Sequence, residues 1–257
     1  MLRFSWIGLF SFCSCVGFAQ NPPASDPQAV SYANQSIAAL TGGTAISDVT
    51  LTGTVTWNGA NPDTGTATLR ALGTGESRMD LALTAGPRTE IRDAQSGPSL
   101  GQWTDPTNAT GSFASQNCAT DAVWFFPALG SLAQGQNVVL SYIGLETHNG
   151  QSVQHIQSYV YQAVQLPGPS QQLLSTMDFY LDATTFLPAA IAFNAHPDNS
   201  ATTNLQVEID FSNYQAISGV SVPMHIQRYQ QGNLMADVVV SNAAFNTGLS
   251  LSLFSIN

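Results

Sequence analysis

Few residues in this chain stand where chemistry could use them. Gly97-Pro-Ser-Leu-Gly101 spells G-x-S-x-G, the pattern that exposes a nucleophilic serine, here Ser99, where a strand turns sharply into a helix. The residues that follow, Gln102-Trp-Thr-Asp-Pro-Thr-Asn108, are β-like and then loop-forming, and Pro106 blocks a helix, so that context is missing. Two carboxylate pairs raise acid–base chemistry. Asp178 and Asp182 share a strand face but stand ~13 Å apart at ~3.3 Å per residue, beyond the ~5–9.5 Å that glycosidase pairs use. Glu208 and Asp210, two residues apart at ~6.6 Å, fall inside that range. Val207, Ile209 and Phe211 alternate with them, which predicts that the two acids face water. His148 falls in a hairpin turn, His155 on the returning strand, and His196-Pro-Asp198 reads as a loop after a strand. No H-x-H, H-E-x-x-H or Cys/His cluster is present, so no zinc site is expected, and there is neither a P-loop nor a dinucleotide fingerprint. Cys118 has Gln116, Asn117, Ala119 and Thr120 around it, which supply no base or cation to lower its pKa, and reads as a buried or loop thiol. No catalytic residue, metal or cofactor is expected.

The elements that carry these residues are mostly strands. One helix opens the pattern: Asp26 is a natural N-cap, Pro27 suits the first helical position, and Gly42-Gly43 is a natural stop. Between them Val30, Ala33, Ile37 and Leu40 form one apolar stripe. The period then changes to two, with Val49, Leu51, Gly53, Val55 and Trp57 on one side of a strand and Thr50, Thr52, Thr54 and Thr56 on the other. Strands are predicted at Thr66–Leu72, Ser77–Leu83, Arg88–Arg92, Val138–Glu146, Val153–Val164, Leu174–Asp182, Ala189–Ala195, Leu205–Tyr214, Val220–Tyr229 and Leu234–Ser241. Asn149-Gly150 marks a hairpin because both turn positions favour positive φ. A second helix is predicted over Asp121–Gln134, between the two strand sets. It crowds Trp124, Phe125 and Phe126 before Pro127 and Leu129. Those four residues, Trp124, Phe125, Phe126 and Leu129, are the expected ligand-binding ones, either as a lid over an apolar cavity or as plain core capping.

Charge narrows the function classes. The chain has 257 residues, six basic residues that are all arginine, sixteen acids and a net charge of −10. A cluster of cations to neutralise phosphates is lacking, which excludes nucleic-acid binding by counterion release and a polybasic membrane patch. Arg3 and the apolar run up to Gly17-Phe-Ala19 predict a signal peptide over residues 1–19, cut after Ala19, followed by a single domain over 20–257. Lipidation at Cys15 or Cys13 is the alternative reading of the same leader, on a poor lipobox match. Cys118 is then the one remaining cysteine, so no internal disulfide is expected.

The order of these pieces resembles the LolA/LolB/RseB-like superfamily of periplasmic lipoprotein carriers and lipid-interacting proteins. The resemblance runs over most of the chain after the leader. It rests on the N-terminal helix, Gly65-Thr-Ala-Thr-Leu-Arg70, Glu76-Ser-Arg-Met-Asp-Leu81 and Trp103-Thr-Asp105. Asp182-Ala-Thr-Thr-Phe-Leu-Pro188 matches a D-x-x-T-x-L-P step, and Phe211 to Pro223 matches F-x-x-Y-x-x-x-x-G-V-x-x-P. The resemblance implies a mainly β (α+β) fold, in which a curved antiparallel sheet forms an open half-barrel around the helix and a short lid helix. It further implies a non-enzymatic, monomeric envelope protein, periplasmic or secreted. Its partner would be a lipophilic ligand or a lipoprotein acyl chain. Carriers of that superfamily use a polar residue, often an arginine, to hold the lid shut; Arg70 and Arg78 are the candidates for that role here, and the resemblance assigns it to neither. Two alternatives stay open: a secreted hydrolase for neutral or glycan substrates using Ser99 or Glu208/Asp210, and an envelope sensor or interaction protein without an open cavity.

Overall fold

The computed structural model describes residues 23–93, 100–118, 120–121, 123–129, 137–162, 171–197 and 199–256. The leader, Ser99, Asp198 and residues 130–136 of the stretch between the strand sets lie outside them.

The first helix, α1 (Pro27–Thr41), begins and ends on its caps. The Asp26 carboxylate accepts the Gln28 N–H at 2.7 Å, and Gly42 takes φ 59° and returns its N–H to the Ala38 carbonyl. Its stripe is the expected one: Ala33 and Leu40 are buried, and Val30 and Ile37 pack against the same core.

Two antiparallel meanders follow. The first comprises β1 (Asp48–Trp57), β2 (Asp63–Leu72), β3 (Ser77–Leu83), β4 (Gly86–Asp93), β5 (Leu100–Thr104) and β6 (Thr110–Phe113). The second comprises β7 (Val138–His148), β8 (Gln151–Val160), β9 (Met177–Asp182), β10 (Pro188–Ala195), β11 (Leu205–Ile217), β12 (Val220–Gln230) and β13 (Asn233–Phe245). The meanders join through the first and last strands, giving one 13-stranded sheet in the order β6-β5-β4-β3-β2-β1-β13-β12-β11-β10-β9-β8-β7. Its two ends do not pair with each other, so the sheet is an open half-barrel.

Alternation decides which side is the core. Val49, Leu51 and Val55 on β1, Leu69 on β2, Met79 and Leu81 on β3, Phe179 on β9, Ile209 on β11 and Val238 on β13 are buried in one cluster with α1. At the seam the pairing shifts between Thr52 and Gly53 of β1, where β13 carries one extra residue, Ser241. A Cβ at Gly53 would sit 2.1 Å from the Val239 carbonyl oxygen, so only glycine lets β13 come this close. A 3-10 turn (Leu251–Phe254) returns on the outside and seats Phe254 against Leu72 and Ile91.

Three expectations change. β6 is a strand that the pattern does not predict, and β5 begins before the β-like residues from Gln102; both are short and carry glycine, at Gly111 and Gly101, which weakens their periodicity. The strand predicted from Leu174 starts at Met177, because α3 (Gln171–Ser175) takes up the preceding residues and the Ser175 hydroxyl donates back to the Gln171 carbonyl at 2.6 Å. The predicted second helix is not helical in its described part. Residues 123–129 form successive turns, in which Phe126 N–H meets the Val123 carbonyl and Leu129 N–H the Phe126 carbonyl, while Pro127 breaks any longer run. A four-residue helix, α2 (Ser115–Cys118), lies just before it.

Candidate functional site

The segment Thr120–Leu129 crosses the concave side of the sheet, and an ion network holds it there. Arg88, Glu90 and Arg92 project inward from β4, two residues apart, where apolar side chains occupy the neighbouring strands. Arg88 donates to Glu90 Oε1 from both Nε (3.0 Å) and Nη2 (2.7 Å), and Arg92 Nη1 lies 3.1 Å from Glu90 Oε2. Arg92 then reaches Asp121 Oδ2 at 2.7 Å. Arg228 on β12 donates to that same oxygen at 3.1 Å. In the sheet β3, β2, β1 and β13 separate β4 from β12, so Asp121 ties the covering segment to both flanks of the half-barrel. The Arg92 and Asp121 side chains are only 4% and 6% exposed. Burial pushes the Glu90 carboxyl up, but Arg92 and Arg88 more than offset it and hold it below the usual carboxylate range. Burial likewise disfavours charge on Arg92, and Asp121 and Glu90 reverse that.

Behind this clamp the predicted ligand residues fill the interior. Trp124, Phe125, Phe126 and Leu129 all belong to the main core cluster. Trp124 and Phe125 meet edge to face at 5.8 Å, and Phe126 packs on Phe245 at 5.8 Å. Trp124, Phe125 and Phe126 are almost fully buried. Leu129 and Ala128 face Ile37, Ala38 and Thr41 of α1 across a shallow hollow of about 410 Å³.

A larger cleft opens at the end of the half-barrel. It measures about 530 Å³ and is formed by the β1–β2, β3–β4 and β5–β6 turns, with Trp57, Pro62, Leu83 and Pro106 as its apolar wall. That volume lies within the ~300–1,000 Å³ usual for small-molecule sites. Arg88 closes its inner side, with the guanidinium 4.5 Å from the Trp57 ring. Asp63 and Asp105 stand at the mouth. Hydrogen bonds keep both below the usual carboxylate range, from the Ala85 N–H first of all for Asp63 and from the Thr107 hydroxyl for Asp105.

Glu208 and Asp210 are less wet than their alternation implies. The β7–β8 turn brings His148 and Asn149 onto them: His148 Nε2 and Asn149 Nδ2 each lie 2.9 Å from Glu208 Oε1. The His148 ring stacks on Tyr180 of β9 at 3.7 Å and reaches Glu208 on β11 across β10, whose residues there, Ala190 and Ala192, are small. Burial and then Glu208 push the Asp210 carboxyl up to about 6. The pair borders a polar hollow of about 360 Å³ with Asn149, Gln206 and Tyr229. Asp178 is taken up by His155 (2.9 Å) and Gln157 (3.0 Å), and Asp182 by the N–H groups of Thr184 and Thr185. Burial pushes the Cys118 thiol up to about 11, which keeps it protonated and unreactive at neutral pH. His196 is buried in a loop, its backbone paired reciprocally with the Asn117 side chain.

No protein-family profile matches the sequence, and no curated protein matches it. Solved structures do. A domain from Vibrio parahaemolyticus named for outer membrane lipoprotein sorting aligns over 88% of this chain and 96% of its own, at 14% identity and TM-score 0.55. A LolA superfamily protein from Nitrosomonas europaea aligns over 89% and 97%, at 10% identity and TM-score 0.52. The fold is LolA-like. A DUF1329 family protein from Desulfovibrio piger shares it, over 91% of this chain and 98% of its own, at 10% identity and TM-score 0.55. The motif fragments that resemble this superfamily meet in the LolA-like half-barrel. The Tyr214 hydroxyl of one donates to the Pro188 carbonyl of the other at 2.7 Å. Sequence reasoning missed the residues of the clamp and of the rim cleft. A signal was there, since Arg88, Glu90 and Arg92 alternate on one strand face in a chain without lysine.

Proposed function

We propose that this protein is a non-enzymatic cell-envelope binding protein that holds a lipid, a lipoprotein acyl chain or another lipophile within its half-barrel. The observation that carries this reading is the cover. An apolar segment occupies the concave face and is fixed by Asp121 through two arginines, not by strand pairing, so it can leave without unzipping the sheet. Acyl chains then replace Trp124, Phe125, Phe126 and Leu129 against the same inward residues, with the rim cleft at Trp57 as the way in. The lipoprotein-sorting name of the Vibrio domain supports this reading. Envelope placement rests on the leader: intact mass should fit a chain beginning at Gln20, and a diacylated Cys15 would replace the soluble form by an anchored one.

Native mass spectrometry of protein purified from its own envelope tests the proposal, and adducts of lipid mass that organic extraction removes are expected. Asp121→Asn should speed uptake of a fluorescent lipophile. Trp124→Ala should tighten its binding, because the cover then gives up less apolar burial when the ligand displaces it, with little effect on secondary structure. Clean apo protein without lipophile binding, joined by glycosidase or esterase turnover lost in Glu208→Gln or Ser99→Ala, would replace this reading by the hydrolase.

A further inference from the structure

The arginines among the described residues are all committed to the chain's own carboxylates. There is no lysine. Among the described residues Arg70 and Arg78 share Asp80, Arg88 holds Glu90, Arg92 bridges Glu90 and Asp121, and Arg228 holds Asp121. Among the described residues Arg88 is the sole cation lining the rim cleft, and two of its nitrogens already serve Glu90. The same cleft carries Asp63 and Asp105, both held ionised by their hydrogen bonds.

Resting on the binding function proposed above, we infer that the rim cleft selects by charge, and that the ligand is an acyl lipid with an uncharged hydroxyl or ester head, of the acylglycerol class. A fatty carboxylate or a phosphate head would lie beside two like charges at the mouth. Its one route to a counterion is to take Arg88 from Glu90, whose side chain is 7% exposed and would lose half of its neutralisation. A cationic head is attracted by the same two carboxylates but is opposed by Arg88 and finds the carboxylate oxygens already engaged. Both Asp63 oxygens already accept backbone N–H groups, from Thr64 and Ala85, and Asp105 Oδ1 accepts those of Thr107 and Ala109, while Arg88 stands at the inner wall. An uncharged head needs only neutral partners, and Asn61, Thr84 and Thr107 line the cleft. Trp57 and the two prolines then take the first methylenes of the chain.

Matched twelve-carbon probes test this on the full secreted chain, by displacement of a fluorescent lipophile below micelle concentration at about pH 8. Glycerol monolaurate should displace at least about tenfold better than laurate or dodecyl phosphate. That gap should shrink as salt is raised, because the carboxylates at the mouth are exposed to solvent. The double variant Asp63→Asn/Asp105→Asn should bring laurate to within about threefold. If that variant does not fold, the salt series on the unaltered protein decides the same point. Laurate binding as well as monolaurate, or dodecylamine binding better than both, would overturn the charge selection while leaving lipophile binding in place. Displacement by none of the probes would overturn both.

Discussion

At Asp121 two guanidinium groups from opposite flanks of the sheet converge on a single carboxylate oxygen. Removing that charge leaves Arg92 and Arg228 facing each other in a buried space, the situation in which breaking a buried pair costs about 3–5 kcal/mol. Asp121→Asn should therefore lower the denaturant midpoint by a stability loss of about 3 kcal/mol, and a loss below about 1 kcal/mol would show that the two arginines do not depend on this carboxylate. Asp210 acts in the other direction. Its carboxyl is pushed up to about 6 from an unfolded value near 3.8, so between those values the folded chain keeps a proton that the unfolded chain has released. Stability falls as pH rises through that window and stays at the lower level above it. Asp210→Asn, which supplies a permanent donor toward Glu208, should raise stability at about pH 7.5 by about 1 kcal/mol after solvent screening. It should also flatten the profile between about pH 4 and 6. An unchanged profile in thermal melts across that range would refute the assignment.

Single elements carry their own tests. Asp26 both caps α1 and, through its backbone N–H, ties the helix start to the Leu140 carbonyl on β7 at 2.8 Å. Asp26→Ala removes the cap alone and should cost about 1 kcal/mol in chemical denaturation. Gly53→Val drives a Cβ into the β13 backbone and should cost about 1–3 kcal/mol. Hydrogen exchange should show lost protection along β1 and β13 in that variant, and loss spread evenly over the sheet would contradict the close approach. The elements were legible wherever burial alternates cleanly. Ser77–Leu83 has the predicted bounds, and the Asn149-Gly150 turn takes the expected positive φ at both residues. Legibility failed where another force took over from alternation. β4 turns Arg88, Glu90 and Arg92 inward, so that its one buried aliphatic, Ile91, packs on the outer 3-10 turn, and periodicity alone reads such a strand inside out. The covering segment was legible as apolar and aromatic. Its partner Asp121 was not, because the arginines it needs stand on β4 and β12, 29 and 107 residues away.

The molecule as a whole is two local meanders and one distant pairing. Every strand neighbour is also a sequence neighbour except β1 with β13, which couples Val49 to Phe245 at one end and Trp57 to Ala236 at the other. Loop closure makes that pairing the slow one. In pulse-labelled refolding the β2–β3 and β11–β12 amides should gain protection before those shared by β1 and β13, and simultaneous protection would argue against assembly by halves. The same connectivity explains the cover in another way. The first meander ends at β6, on one free edge of the sheet, and the second begins at β7, on the other. A chain that builds its sheet from the middle outward must therefore cross the open side once, as a string joins the two tips of a bow. Spanning the mouth is a debt of the topology, incurred before any ligand selects what the span is made of. Selection is then free to tune the string, its apolar residues and its one carboxylate knot, while the bow keeps its shape.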